Sequence, residues 1–141
     1  MCEEILVRDE AVLQKLMALA ETAREKAYCP YSHYAVGAAL MDAQGRVWLG
    51  ANVENGAFSP TCCAERVALF KAIYDGARDF YALAIAGGEL GQSPSDCAPC
   101  GVCRQVMAEF FSPGTMLFYR RSGEIVSASM AQILPDAFAP L

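Results

Sequence analysis

The sequence predicts a single α/β domain: a mixed sheet of five strands with helices on both faces. Three observations predict it. An apolar hairpin near the start is followed by strand-like runs alternating with helical periodicity. The helices between those later runs are the crossovers that parallel neighbours need, so part of the sheet is parallel. No internal repeat, low-complexity tract or long linker divides the 141 residues, and one core is expected from 1 to 141.

The elements follow in order. Asp9 is expected to cap a helix from Glu10 to about Ala27, because Val12, Leu13, Leu16, Ala20, Ala23 and Ala27 recur at helical spacing. Tyr28-Cys29-Pro30-Tyr31-Ser32 ends it. Tyr34 to Asp42 and Arg46 to Asn52 read as strands joined at Ala43-Gln44-Gly45, where glycine permits a positive φ. Glu54 to Cys62 reads as loop, and Cys63 to Asp75 as a helix stopped by Gly76. A short strand over Tyr81 to Ala86 precedes a Gly, Ser and Pro loop from Gly87 to Pro99. Cys100 to Phe111 is helical, with Pro99 at its start and Pro113-Gly114 beyond its end. Thr115 to Tyr119 and Glu124 to Ser127 are strands around Ser122-Gly123, and Ser129 caps a last short helix before Pro135.

Composition excludes several classes of function. Hydrophobic residues make up 55% of the chain and mean hydropathy is +0.24, more apolar character than one small core consumes. Subunit contacts are a natural use for the excess. The apolar runs, Val36 to Met41 and Tyr81 to Ala86 among them, stop far short of the roughly 18 residues of a membrane span. Met1-Cys2-Glu3-Glu4 lacks the basic flank and apolar stretch of a secretion signal, so a cytoplasmic protein is expected. Net charge is −5 and the pI near 4.8, with no stripe of Lys and Arg to neutralise phosphates, which disfavours polynucleotides as partners. Seven cysteines in a reducing compartment point to metal or catalysis rather than a disulfide framework.

Two motifs carry the chemistry, and both fall at expected helix starts: Cys62-Cys63-Ala64-Glu65-Arg66 and Cys97-Ala98-Pro99-Cys100-Gly101-Val102-Cys103. Cys100 and Cys103 are three apart, so in a first helical turn both sulfurs face one side and suit one tetrahedral metal. The free N–H groups of a helix start lower thiol pKa values. Cys63 can supply a third thiolate from the other helix. Three protein ligands leave zinc a fourth position for water, the arrangement of a catalytic site. Glu65, two residues after Cys63, projects beside that water. Three thiolates and a hydroxide around Zn²⁺ carry a net charge of about −2 by formal counting, which Arg66, with Arg104 as a second candidate, can offset.

These stretches, together with Pro30-Tyr31-Ser32, Val36-Gly37-Ala38-Ala39-Leu40, Asn52-Val53-Glu54-Asn55 and Pro99-Cys100-Gly101-Val102-Cys103-Arg104-Gln105, resemble the small homotetrameric zinc-dependent cytidine deaminase family across nearly the whole chain. The resemblance implies the cytidine deaminase fold, one Zn²⁺ per chain on Cys63, Cys100 and Cys103, and hydrolytic loss of the cytosine 4-amino group as ammonia. It makes Glu65 the proton shuttle, for which one carboxylate in reach supplies about 10²- to 10⁴-fold. By the same resemblance Asn52 and Glu54 hold the ribose 3′-hydroxyl, Tyr34 and Ala64 belong to the substrate site, and Phe138 reaches a neighbour's site in a homotetramer. A carboxylate at the sugar accepts from hydroxyls and repels phosphate, which favours nucleosides over nucleotides. Tyr34 stands where the family usually has Phe, and its hydroxyl needs a partner. Phe58 stands where relatives commonly carry Tyr, and the loop from Gly88 to Asp96 matches no motif of the family.

Other readings compete. Adding Cys97 to the three thiols would close a Cys₄ zinc site and make a scaffold domain, although Ala98-Pro99 breaks the helical phase between Cys97 and Cys100. Cys97-x₂-Cys100-x₂-Cys103 echoes an iron–sulfur run whose next position holds Met107. A blasticidin-type deaminase shares the metal motifs without calling for Asn52 and Glu54. Cys2, Cys29 and Cys62 read as packing or surface residues, and His33 as a structural loop residue.

Overall fold

The computed structural model describes residues 2–139. Helix α1 (Cys2–Ala23) runs into a 3₁₀ turn (Arg24–Lys26), followed by strands β1 (Tyr34–Asp42) and β2 (Val47–Ala51). Then come α2 (Ala64–Tyr74), β3 (Phe80–Glu89), α3 (Gly101–Phe110), β4 (Met116–Arg121), β5 (Glu124–Ala128) and α4 (Met130–Ile133). The sheet has five strands in the order β2-β1-β3-β4-β5. β3 and β4 pair in parallel, with Leu83 opposite Leu117, and the other pairs are antiparallel. The expected mixed sheet is therefore present, and α3 is the crossover that joins its parallel pair.

Alternation along the central strands builds two cores. Leu40, Leu83, Ile85 and Leu117 point to the face covered by α2 and α3, where Leu69 and Met107 meet them. Ala39, Ala82, Ala84 and Phe118 point to the other face, under Leu16, Met17 and Ala20 of α1. Each fully buried large aliphatic side chain contributes about 1.5–3 kcal/mol. The helix-facing side of β1 and β3 is mostly alanine, which lets α1 lie close. At Gly37 a Cβ would sit 2.0 Å from the Ala20 carbonyl oxygen, so glycine is required there. Gly50 does the same for α2: a Cβ would lie 2.4 Å from the Ala64 oxygen and 2.5 Å from the Ala68 nitrogen. The first turns of α2 are thus pressed against β2.

Two expectations are corrected. α1 begins at Cys2, so Asp9 lies inside the helix and is not its N-cap position; no Gly or Pro interrupts the run between them. β3 continues past Ala86 to Glu89, with Gly87 and Gly88 still in register opposite Val36 and Ala35. A glycine pair that reads as loop is here paired strand, and the loop starts only at Leu90. The last helix starts where expected, with a capping box in which the Gln132 side chain accepts from the Ser129 N–H.

Candidate active site

The start of β1 and the ends of β2, β3 and β4 lie at one edge of the sheet, together with the N-termini of α2 and α3. Such an edge collects backbone N–H groups and the positive ends of two helices. A cleft of about 370 Å³ opens there, and its lining includes Ser32, Asn52 and Glu54 as well as Tyr34, Cys63, Glu65, Cys97 and Cys100. Its size suits a small organic molecule.

Cys63 is the N-cap of α2 and Cys100 the N-cap of α3, both with extended backbone. Cys103 sits one turn into α3, and its backbone N–H donates to the Cys100 sulfur at 3.4 Å. The Sγ atoms of Cys63, Cys100 and Cys103 all lie within 4.8 Å of one another, Cys63 and Cys100 at 3.6 Å. A tetrahedral zinc at ~2.3 Å from each sulfur sets sulfur separations of about 3.8 Å, so the donor set fits the ion. The electrostatics fit as well. The Cys63 thiol is pushed down to about 5, first by its hydrogen bond with Cys103 and then by Arg66. Cys103 is pushed up, by that same hydrogen bond and by burial. A divalent cation would bind both sulfurs as thiolates and displace any remaining thiol proton.

Arg66 lies against the cluster. Its Nε donates to Cys103 Sγ and its Nη2 to Cys63 Sγ, each at 3.4 Å. Burial works against the guanidinium charge, yet these bonds hold Arg66 above its ordinary pKa. Arg104, the second candidate for charge compensation, faces elsewhere: it donates to the carbonyls of Pro99 and Ile133 and braces the loop before α3. Among the described residues the close group of thiols does not include Cys97. Cys97 lines the cleft with its thiol pushed up to about 11, first by burial and then by the Glu65 charge. That geometry removes the closed Cys₄ arrangement and, with it, the scaffold reading.

Glu65, in the first turn of α2, is 4% exposed. Burial pushes its carboxyl up to about 7, and the charge of Cys63 adds to the effect. A carboxyl group with a pKa near neutrality can both take and return a proton, which is what general acid–base catalysis requires. Ala64 is fully buried beneath it against β2.

The other side of the cleft is held by its own backbone. Asn52 accepts from the Val36 N–H at 2.9 Å and donates to the Tyr34 carbonyl at 2.8 Å. Glu54 accepts from the N–H groups of Tyr31 and Ser32 and from the Ser32 hydroxyl. The Tyr34 hydroxyl finds the partner it needed in the Asp96 carbonyl at 2.9 Å. Asp96 in turn caps the β4–β5 turn at Ser122 and Gly123, which gives the unmatched loop a defined anchor. Phe138 is 76% exposed and is not among the residues lining this cleft. Ser32, Val36, Thr61, Cys97 and Ala98 line it without having been read as site residues. Ser32 stood inside a motif already noted, and its hydroxyl was the available signal.

Fold and site together define a class: zinc-dependent enzymes that activate water beside a resident carboxyl group. A profile of the cytidine and deoxycytidylate deaminase zinc-binding region matches residues 10–119. The cytidine deaminase of Sporosarcina psychrophila is 46% identical over 129 residues, which cover 90% of this chain and 91% of that relative. A solved cytidine deaminase from Burkholderia pseudomallei shares the fold with a TM-score of 0.80 and 44% identity, over 89% of this chain and 98% of the other. A blasticidin-S deaminase from Bacillus cereus is 25% identical over 130 residues, covering 88% of this chain and 92% of that relative. The chain belongs to the zinc-binding cytidine and deoxycytidylate deaminase family.

Proposed function

We propose that the protein hydrolyses cytidine and 2′-deoxycytidine to uridine and 2′-deoxyuridine with release of ammonia, as part of pyrimidine salvage in the cytoplasm. The observation that carries this reading is the buried Glu65 carboxyl in one cleft with three converging thiols. Cys63, Cys100 and Cys103 would hold one zinc per chain, and bound there it would supply the acidity that makes water a nucleophile at neutral pH. Glu65 takes a proton from that water as oxygen bonds to C4 of the ring, and delivers it to N3. It carries the second proton to the 4-amino group, and the C4–N bond breaks with ammonia leaving. The two protons of water thus end on N3 and on ammonia. Arg66 stabilises the thiolates through its two sulfur contacts.

Tyr34, which lines the cleft, would meet the base with Ala64 buried behind the lining, and Asn52 and Glu54 would meet the sugar. Glu54 retains acceptor capacity beyond its three internal donors, and an acceptor suits a hydroxyl rather than a phosphate. The whole chain acts as one domain in this reading. Because Phe138 stands exposed away from its own cleft, its contribution would go to a neighbour's site in a homotetramer. The mean hydropathy of +0.24 is in keeping with extensive subunit contacts.

Ultraviolet absorbance change with cytidine, 2′-deoxycytidine, cytidine 5′-monophosphate and blasticidin S in parallel tests the function. Turnover of both nucleosides with a much lower kcat/KM for the monophosphate is expected. Preferred turnover of blasticidin S would transfer the protein to the runner-up activity. Light scattering at micromolar concentration tests the tetramer, which a fully active monomer would rule out.

A further inference from the structure

The hydrogen bonds around Glu54 single out a residue that the chemistry above does not use. Ser32 lies in the turn before β1, at the rim of the cleft. Its Oγ accepts from the Tyr34 N–H at 3.0 Å and donates to Glu54 Oε2 at 2.5 Å. A serine hydroxyl carries one proton, and the Tyr34 N–H can only donate. The direction of the bond to Glu54 is therefore determined: the hydroxyl proton goes to the carboxylate.

Glu54 Oε1 meanwhile accepts from Tyr31 N–H at 3.0 Å and Ser32 N–H at 3.1 Å. A carboxylate has about four acceptor positions. Both positions of Oε1 and one of Oε2 are filled, so the remaining acceptor belongs to Oε2. The two backbone donors hold Oε1 in place, but only the Ser32 hydroxyl holds Oε2 against rotation of the carboxylate plane.

We propose that Ser32 is a positioning residue for sugar recognition, holding Glu54 Oε2 so that the carboxylate offers a single acceptor position to a single sugar hydroxyl. This role rests on the nucleoside reading above. The electrostatics agree. The Glu54 carboxyl is held below the ordinary range, first by the Ser32 hydroxyl, then by the two N–H groups, with His33 adding and partial burial opposing. The Cys29 thiol also feels the Glu54 charge, which adds to the effect of burial in raising it. Glu54 is thus an obligate acceptor at neutral pH, and a ligand must bring the donor. A contact of this kind, made equally in ground and transition states, acts on KM and leaves kcat alone.

The test is a double-mutant cycle with Ser32→Ala, Glu54→Gln and the pair, with Ser32→Thr as rescue. Zinc content and melting are measured on each preparation. Gln at 54 keeps an oxygen for the two backbone donors but replaces the other oxygen with an amide that cannot accept the serine proton. Ser32→Ala is expected to raise KM for cytidine roughly fivefold, with kcat within about twofold, the size of one exposed hydrogen bond. In the Glu54→Gln background the same change should alter KM less than about twofold, because the partner is already gone. Ser32→Thr keeps the hydroxyl and should restore KM. An unchanged KM in Ser32→Ala overturns the proposal. So do equal losses in both backgrounds, or parallel falls in kcat and melting, since those mark a purely structural serine. A wild-type protein silent on cytidine removes the nucleoside reading itself, and Ser32 then has no sugar to position.

Discussion

The two sides of the cleft are built on opposite principles. On the metal side, three sulfurs crowd within 4.8 Å of one another, with Arg66 as their cationic neighbour and a carboxyl buried beside them. That arrangement gathers soft anionic donors at the spacing that suits a divalent cation. On the other side, Asn52 and Glu54 are already held in place by backbone N–H and C=O groups and by Ser32, with hydrogen-bonding capacity left over. One side is a donor set for an ion; the other is held by its own hydrogen bonds and offers the capacity left over. Metal chemistry needs the first kind of site, because the ion supplies the missing charge. Recognition of a neutral hydroxyl needs the second, because a prearranged acceptor loses little freedom on binding.

The comparison is broken most severely on the metal side. Cys100→Ser should lose most of the zinc and at least about 10³-fold in activity, because serine can keep the helix cap but not the thiolate ligand. Cys97→Ser, in the same cleft but outside the cluster, should retain the metal. Metal analysis after dialysis against a chelator checks both, and loss of zinc from the Cys97 variant would sink the three-ligand assignment.

A smaller effect is expected where the two sides join. Gly50→Ala drives a Cβ into backbone atoms of Ala64 and Ala68, which flexible side chains cannot relieve. Overpacking of this kind costs about 1–3 kcal/mol. Because the displaced turn carries Cys63 and Glu65, zinc affinity should fall along with the melting temperature. Thermal melting and zinc titration check this, and unchanged values in both would mean that the helix start is not held by β2.

Asp42 sharpens the comparison from the far end of the sheet. Like Glu54 it accepts three internal donors, the N–H groups of Gln44 and Arg46 and the Arg46 guanidinium, but it lies buried in a hairpin and is not among the residues lining the active-site cleft. Although burial alone would raise its pKa, these bonds hold the Asp42 carboxyl below the usual range. A depressed folded pKa means stability that is fully present above the ordinary carboxylate value of about 4 and lost as pH falls through the folded value. Asp42→Asn should cost about 2 kcal/mol at neutral pH and shrink the acid-induced loss below pH ~4. Its KM for cytidine should match wild type, unlike that of the Ser32 variant. Denaturant melts from pH 7 to pH 3 check the stability, and parallel pH curves for wild type and variant would contradict the assignment.

The metal side was legible in the sequence because its signal is local. Cys63, Glu65, Cys100 and Cys103 fall at helix starts, where spacing alone decides which side chains share a face. The fold was legible for a similar reason, with short apolar runs marking β1 and β3, which are buried on both faces. What was missed depends on pairing across distance. Gly87 and Gly88 read as loop but stay in the sheet, held opposite Val36 and Ala35. Arg104 could be placed near the sulfurs by position, yet its donors go to carbonyls at Pro99 and Ile133. Ser32 joins Glu54 from 22 residues away, and no spacing rule reports such a bond.

The central claim is that Glu65 moves protons and does not hold the metal. Glu65→Gln tests it most directly, with zinc content and cytidine turnover measured on the same preparation. Gln has the same length and can still hydrogen-bond, but it cannot accept the proton of water and return it to N3 and the amino group. The account predicts zinc equal to wild type and turnover lower by about 10²- to 10⁴-fold or more. Turnover within about tenfold of wild type, with the zinc retained, would contradict it.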